Sequence, residues 1–145
     1  MSTSRETARD ALVTLLTAAL VGVGLPVKTV TGSKVESLSG LTPLVSVLSA
    51  GSFRERVTFL GDMAAFSFEI QTWVLQSVAG WTNAQAEDAL DRIESLIAEV
   101  YESARGTANW EVVEYAGPTT ILEIAVAGIP YYMERIPTTA KLARS

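Results

Sequence analysis

Apolar residues near the start of the chain recur at the spacing of an amphipathic helix. Between residues 8 and 20 they fall three or four positions apart, which places them on one stripe of a helical surface. Thr3 and Glu6 have the spacing of a capping box, and Gly22 and Gly24 follow as a stop. The pattern predicts a first helix.

A second, longer stripe occupies residues 86–104. Thr82 and Gln85 precede it as a capping box, and Gly106 marks its end. We expect this helix to pack on a sheet through three of its own residues and three strand residues: Leu90, Ile93 and Ile97 against Phe66, Phe68 and Ile70.

Strict alternation of large apolar and mostly polar residues over 65–75 predicts a half-buried antiparallel strand. Further strands are predicted at 43–48, 110–115, 119–126 and 129–136, separated by short turns. Short connections favour a mostly antiparallel sheet. We therefore predict one α+β domain over residues 1–145, a two-layer sandwich with both helices on one face of the sheet.

The sequence of residues 51–62 predicts an exposed loop that binds a protein partner. Arg54 and Arg56 lie between two aromatic residues, Phe53 and Phe59. Arginine and aromatic side chains are enriched where protein surfaces meet. We expect these four residues to contact a protein partner; the alternative is a solvated loop with incidental aromatics.

The composition narrows the chemistry. The 145 residues include no His and no Cys, which excludes histidine bases, cysteine nucleophiles and zinc sites of the Cys/His kind. Carboxylates along the second helix lie off its apolar stripe and fit a solvated face better than a metal or sugar site. We expect no enzyme activity, no cofactor and no metal.

The charge is unevenly distributed. The net charge is −5, and residues 87–134 contain ten acidic side chains against Arg92 and Arg105. This predicts an acidic surface in the second half, which repels nucleic acid. The apolar run at 11–25 is shorter than a membrane span and lacks the cationic flank of a signal peptide, so we expect neither.

Five aromatic side chains could form a stacking platform for bases or sugars: Trp73, Trp110, Tyr115, Tyr131 and Tyr132. Tyr131 and Tyr132 are neighbours on a predicted strand and would point to opposite faces. Packing in the core or in an interface is therefore the favoured interpretation.

The order of elements, with an acidic helix segment at 86–94 (AEDALDRIE) and a closing hairpin at 128–136 (GIPYYMERI), resembles the tail terminator proteins of long-tailed bacteriophages. The resemblance spans most of the chain. It implies a virion protein of the tail or neck, assembled in the host cytoplasm, that forms a homohexameric ring on the tail tube, stops tube growth and docks the head–tail connector. Its partners would be its own copies, the tube protein and the connector protein. The resemblance implies no catalytic residue and no cofactor.

Three alternatives remain open. One is a head–tail joining or tail-completion protein elsewhere in the phage neck. Another is a dimeric regulatory α+β domain with a small-molecule pocket between its layers. The third is an enzyme that works without histidine.

Overall fold

The structure, a computed structural model, describes residues 4–34, 38, 41–56, 62–76, 82–107 and 109–144. Two helices and six strands follow one another along the chain. Their bounds are α1 (Arg5–Leu20), β1 (Thr29–Thr31), β2 (Leu44–Arg56), β3 (Asp62–Leu75), α2 (Asn83–Ser103), β4 (Val112–Tyr115), β5 (Thr120–Val126) and β6 (Ile129–Arg144).

Helix α1 forms where the apolar spacing predicts it, with a different cap. The cap is Ser4, whose side chain accepts a hydrogen bond from the Thr7 backbone N–H at 3.0 Å. The helix therefore begins one residue later than the predicted capping box on Thr3 requires, because Ser4 and not Thr3 is the N-cap; Thr3 itself lies outside the described residues. Every fourth residue of the helix is fully buried, from Ala8 through Leu12 and Leu16 to Leu20.

The strands form a single sheet in the order β1-β2-β3-β6-β4, with β5 also paired to β6. All pairs are antiparallel except β1 with β2. Because β6 pairs with β3 along residues 131–144, β4 and β5 must share its other edge. They lie there one after the other, so that the second edge of the sheet is a strand interrupted at residues 116–119.

Alternation along β3 separates two faces of the sheet. Phe66, Phe68, Ile70 and Val74 point to the face covered by both helices, which we call the inner face, and all four are buried. Thr72 shares this face and is also buried. Ser67, Glu69, Gln71 and Trp73 point to the outer face and are partly exposed. The predicted α+β fold, with a mostly antiparallel sheet and two helices on one face, is confirmed.

Helix α2 also follows its prediction. Thr82 and Gln85 form the complete capping box, with Thr82 N–H donating to Gln85 Oε1 at 2.8 Å. Leu90, Ile93 and Ile97 are buried in the same cluster as the inner-face phenylalanines, as predicted. The helix ends at Ser103, and Gly106 follows at φ +69°, a left-handed conformation that glycine adopts without strain.

Trp110 stabilises the end of α2. Its indole N–H donates to the carbonyl of Ala104 at 2.6 Å, and the side chain is 1% exposed. We expect Trp110→Phe to lower the unfolding free energy by about 1–3 kcal/mol, because it leaves a buried carbonyl unpaired. Urea denaturation measures this. Trp73→Phe, on the partly exposed outer face, is the matched control and should cost less; equal costs would contradict the role of the hydrogen bond.

Three strands, β2, β3 and β6, are longer than predicted. Residues 51–56 continue β2 and pair with 62–67 of β3, so the predicted loop is wrong at 51–56 and at 62, although residues 52–55 are exposed as predicted. Residues 57–61 of the predicted loop lie outside the described residues. A bulge between Ser49 and Gly51 shifts the register by one residue, and the antiparallel pairing with β3 continues beyond it. Strand β6 runs eight residues beyond the predicted end at Ile136, with Thr138, Ala140 and Leu142 buried on its inner face.

Candidate assembly surfaces

The far half of β2 carries two of the four predicted contact residues. Phe53 pairs with Ala65 and points to the outer face, where 63% of its surface is exposed. Arg54 pairs with Ala64 and points to the inner face. Its guanidinium carbon lies 5.3 Å from the centroid of the Phe66 ring, a cation–π contact that holds the charge at the rim of the core.

The four residues therefore do not form one cluster. Phe53 and Arg54 are consecutive residues of a strand and lie on opposite faces. Arg56 ends β2, and Phe59 lies outside the described residues. That these residues contact a protein stays a prediction. Phe53 and Arg54 lie on opposite faces of the sheet, so they cannot belong to one contact surface on the same face.

Two arginines of α1 lie beside the same strand. Arg5 donates to the Ser52 hydroxyl at 3.0 Å, and Arg9 donates to the Ser49 hydroxyl at 3.2 Å. Together with Arg54 they form what we call the basic strip, along the β2 side of the inner face. Sequence reasoning missed Arg5 and Arg9, although their spacing of four residues places them on one side of a helix.

An acidic groove lies near the opposite edge of the sheet, between α2 and β5. It has a volume of about 240 Å³. Glu87 and Asp91 supply its charge, and its apolar lining comes from Leu90, Ile121 and Tyr132. Ile121 is 52% exposed at the rim of the groove. The groove is part of the acidic surface that the sequence predicts.

Glu134 departs from that surface. Glu134 is one of the ten acidic residues from which the acidic surface is predicted. Its side chain points to the inner face and is only 4% exposed. Burial raises the pKa of Glu134; a hydrogen bond with the Thr119 side chain opposes the shift, and the charges of Glu94 and Asp91 add to it. The prediction that Glu134 lies on the surface is wrong because it assigned every acidic residue to solvent.

This environment makes stability depend on pH. The folded protein holds the Glu134 proton more tightly than the unfolded chain does, so the stabilisation is present at acid pH and is lost as pH rises through the raised pKa. We expect Glu134→Gln to raise the melting temperature at pH 8 and to lose this advantage below the ordinary carboxyl pKa. Melting curves of variant and parent across pH measure the difference. An advantage independent of pH would contradict the ionisation effect.

The aromatic side chains are divided between two clusters. Trp73 and Tyr131 meet edge to face on the outer side, with ring centroids 6.3 Å apart, in a small cluster that includes Leu38 and Leu44. On the inner side, Tyr101 and Tyr115 meet edge to face at 5.5 Å. Trp110 and Tyr132 also lie in the main core. The arrangement fits packing, as expected, and provides no continuous stacking platform among these residues.

Tyr115 connects the core to the acidic helix. Its hydroxyl donates to Glu94 Oε2 at 2.8 Å. Burial, the hydrogen bond to Glu94 and the nearby carboxylates all raise the pKa of the Tyr115 hydroxyl above its ordinary value. The hydrogen bond from the Tyr115 hydroxyl to Glu94 anchors β4 to α2.

The middle of the outer face is polar and internally paired. Arg135 donates to Glu69 Oε1 from Nε at 3.0 Å and from Nη2 at 2.8 Å. Partial burial raises the pKa of Glu69, but hydrogen bonds from Gln71 and Arg135 outweigh it, and the net shift is downward. Lys141 pairs with Glu114 at 2.9 Å nearby. These groups neutralise one another in the middle of the outer face.

Neither a scan of protein-family models nor a search of curated proteins gave a match to this chain. Within the described ranges, no group of three or more acidic side chains is placed to hold a metal ion. No helix in that part of the chain is long and apolar enough to cross a membrane.

Proposed function

We propose that this protein is a subunit of a ring that caps the tail tube of a long-tailed bacteriophage, ends tube growth and provides the surface on which the head–tail connector docks. The partners are further copies of this chain, most simply six in all, together with the tube protein and the connector protein. The place of action is the virion tail or neck, after assembly in the host cytoplasm. The proposal includes no catalytic step and no cofactor.

One observation carries the proposal: the two edges of the sheet present opposite charges. The basic strip of Arg5, Arg9 and Arg54 lies along β2, and the acidic groove with Glu87 and Asp91 lies beside β5. Two different, complementary surfaces on one chain support head-to-tail contacts between copies. Such contacts close into a ring when the rotation between copies closes. The order of elements that resembles the tail terminators supports the same proposal.

A dimeric domain that binds a small molecule has less support. Three grooves on the described surface have volumes of about 240 to 300 Å³. Ligand pockets occupy about 300–1,000 Å³, so these grooves lie at or below the lower limit. A head–tail joining protein elsewhere in the neck uses similar surfaces, and the test below separates it from a terminator.

The test is tube assembly with the tube protein encoded in the same genome. With this protein present, we expect tubes of uniform length with added density at one end in electron micrographs; without it, we expect overlong tubes. A joining protein would bind finished tails without changing tube length. Unchanged lengths and no density at the tube ends would contradict both forms of the proposal.

A further inference from the structure

Within the described part of the chain, both edges of the sheet lack a partner strand along most of their length. Strand β1 pairs with β2 only from Leu44 to Ser46. Among the residues that the structure describes, no strand pairs with that edge of β2 over residues 47–56. At the opposite edge, β5 pairs with β6 on one side, and no described strand pairs with its other side. Open edges offer unpaired backbone N–H and C=O groups to another strand.

The side chains beside the two edges are complementary on both faces. On the inner face, Ile121 and Glu123 of β5 lie next to the acidic groove, since they pair with the inner-face residues Glu134 and Tyr132. Arg54 occupies the inner face of β2. If β2 of another copy lay beside β5, Arg54 would offer its aliphatic stem to Ile121 and its guanidinium to Glu87 and Asp91.

The outer face has an apolar match. Leu122 of β5 pairs with Met133, which places it on the outer face, and it is 37% exposed. Phe53 of β2 is 63% exposed on the same face. A strand joined to β5 that placed its arginine over the groove would place the preceding residue, here a phenylalanine, beside Leu122.

We propose that β5 of one copy pairs with the open edge of β2, residues 47–56, of the next copy, with Arg54 seated at the acidic groove and Phe53 against Leu122. The inference rests on the proposed ring and names the contact that builds it. Three successive antiparallel pairs, β2–β3, β3–β6 and β6–β5, make β2 antiparallel to β5 within one chain. Cyclic symmetry preserves the axial direction of each strand, so the pairing between copies is antiparallel too.

Charge disfavours the two symmetric alternatives. A β5–β5 dimer would bring Glu87, Asp91 and Glu123 of two copies together, and a β2–β2 dimer would do the same with the basic strip. Like charges facing each other across an interface are destabilising. The head-to-tail contact pairs unlike charges and continues the sheet with all helices on one side, as a closed ring requires.

A charge exchange tests the contact. We expect Arg54→Glu and Glu123→Arg, each alone, to weaken self-association of the full chain at least about tenfold, the scale of one lost interfacial charge pair made repulsive. The double variant in one chain should recover part of the lost association, because the exchanged pair is again unlike while Glu87 and Asp91 keep their charges. An equimolar mixture of the two single variants should also recover, because alternating copies restore an unlike pair at every contact. Glu99→Arg, an exposed charge change elsewhere on α2, is the matched control and should behave as the parent.

Sedimentation velocity over a concentration series measures these associations. Single variants that associate like the parent, or single variants that weaken association without recovery in the double variant and in the mixture, would overturn the contact. Tube assembly separates this result from the proposed function. If Arg54→Glu ends tubes as the parent does, the contact is wrong and the function stands. If the exchange restores association but the parent never ends tubes, the contact stands and the function is wrong.

Discussion

Replacing Ile93 by alanine is expected to lower the unfolding free energy by about 2–5 kcal/mol, the range for removing most of a buried aliphatic side chain. Ile93 is fully buried on the side of α2 that faces the sheet, between Leu90 and Ile97 and in one cluster with Phe66 and Phe68. The loss combines less apolar burial with a cavity that the rigid sheet cannot close.

Urea denaturation measures the cost. The slope of the unfolding free energy against urea concentration should be equal for variant and parent. Leu96→Ala is the matched control on the same helix, since Leu96 is only partly buried and its truncation should cost less. A cost below about 1 kcal/mol for Ile93→Ala would mean that the stripe is not packed as the structure has it.

The double charge reversal Arg54→Glu with Arg56→Glu is expected to abolish ring formation and attachment to tail tubes while the subunit stays folded. Exposed charges contribute little to folding, and the contact of Arg54 with Phe66 adds about 0.5–1 kcal/mol at most. In the assembly, the change at Arg54 would set a carboxylate against an acidic groove.

Melting temperature and tube attachment are the two measurements. Lys34→Glu with Arg105→Glu makes the same change in net charge with two exposed residues elsewhere, and should assemble normally. If the Arg54 and Arg56 variant forms rings and ends tubes like the parent, the far half of β2 is not the contact.

The elements with strong local patterns could be predicted from sequence. The alternation of Phe66, Phe68 and Ile70 specifies the central strand, because one face must be buried. The capping box of Thr82 and Gln85 fixes the start of α2 in the structure as in the sequence. These signals depend only on residues near one another in the chain.

The far half of β2 could not be predicted in the same way. Ser52, Arg54 and Glu55 have no alternation of apolar and polar residues, and they are in a strand because β3 pairs with them. Such pairing is a property of the sheet and not of the segment. The error also misplaced the candidate contact residues, since a strand separates Phe53 from Arg54 and a loop need not.

The electrostatic details likewise depend on tertiary structure. Counting charges located the acidic half of the chain, but only the pairing of β6 with β3 and β5 shows that Glu134 is buried and Glu123 is exposed. The basic strip depends on the packing of α1 beside β2, which brings Arg5 to Ser52 across 47 positions of sequence. A pattern among neighbouring residues cannot predict a contact between residues so far apart in the sequence.

The mass of the protein in solution over a wide concentration range tests the central claim most directly. Sedimentation equilibrium should show a single subunit of 15.5 kDa giving way, as concentration rises, to one closed species of six times that mass, with no larger polymer. Closure accounts for the absence of larger species, because a complete ring has no free edge. A dimer at every working concentration would contradict the ring and favour the regulatory domain.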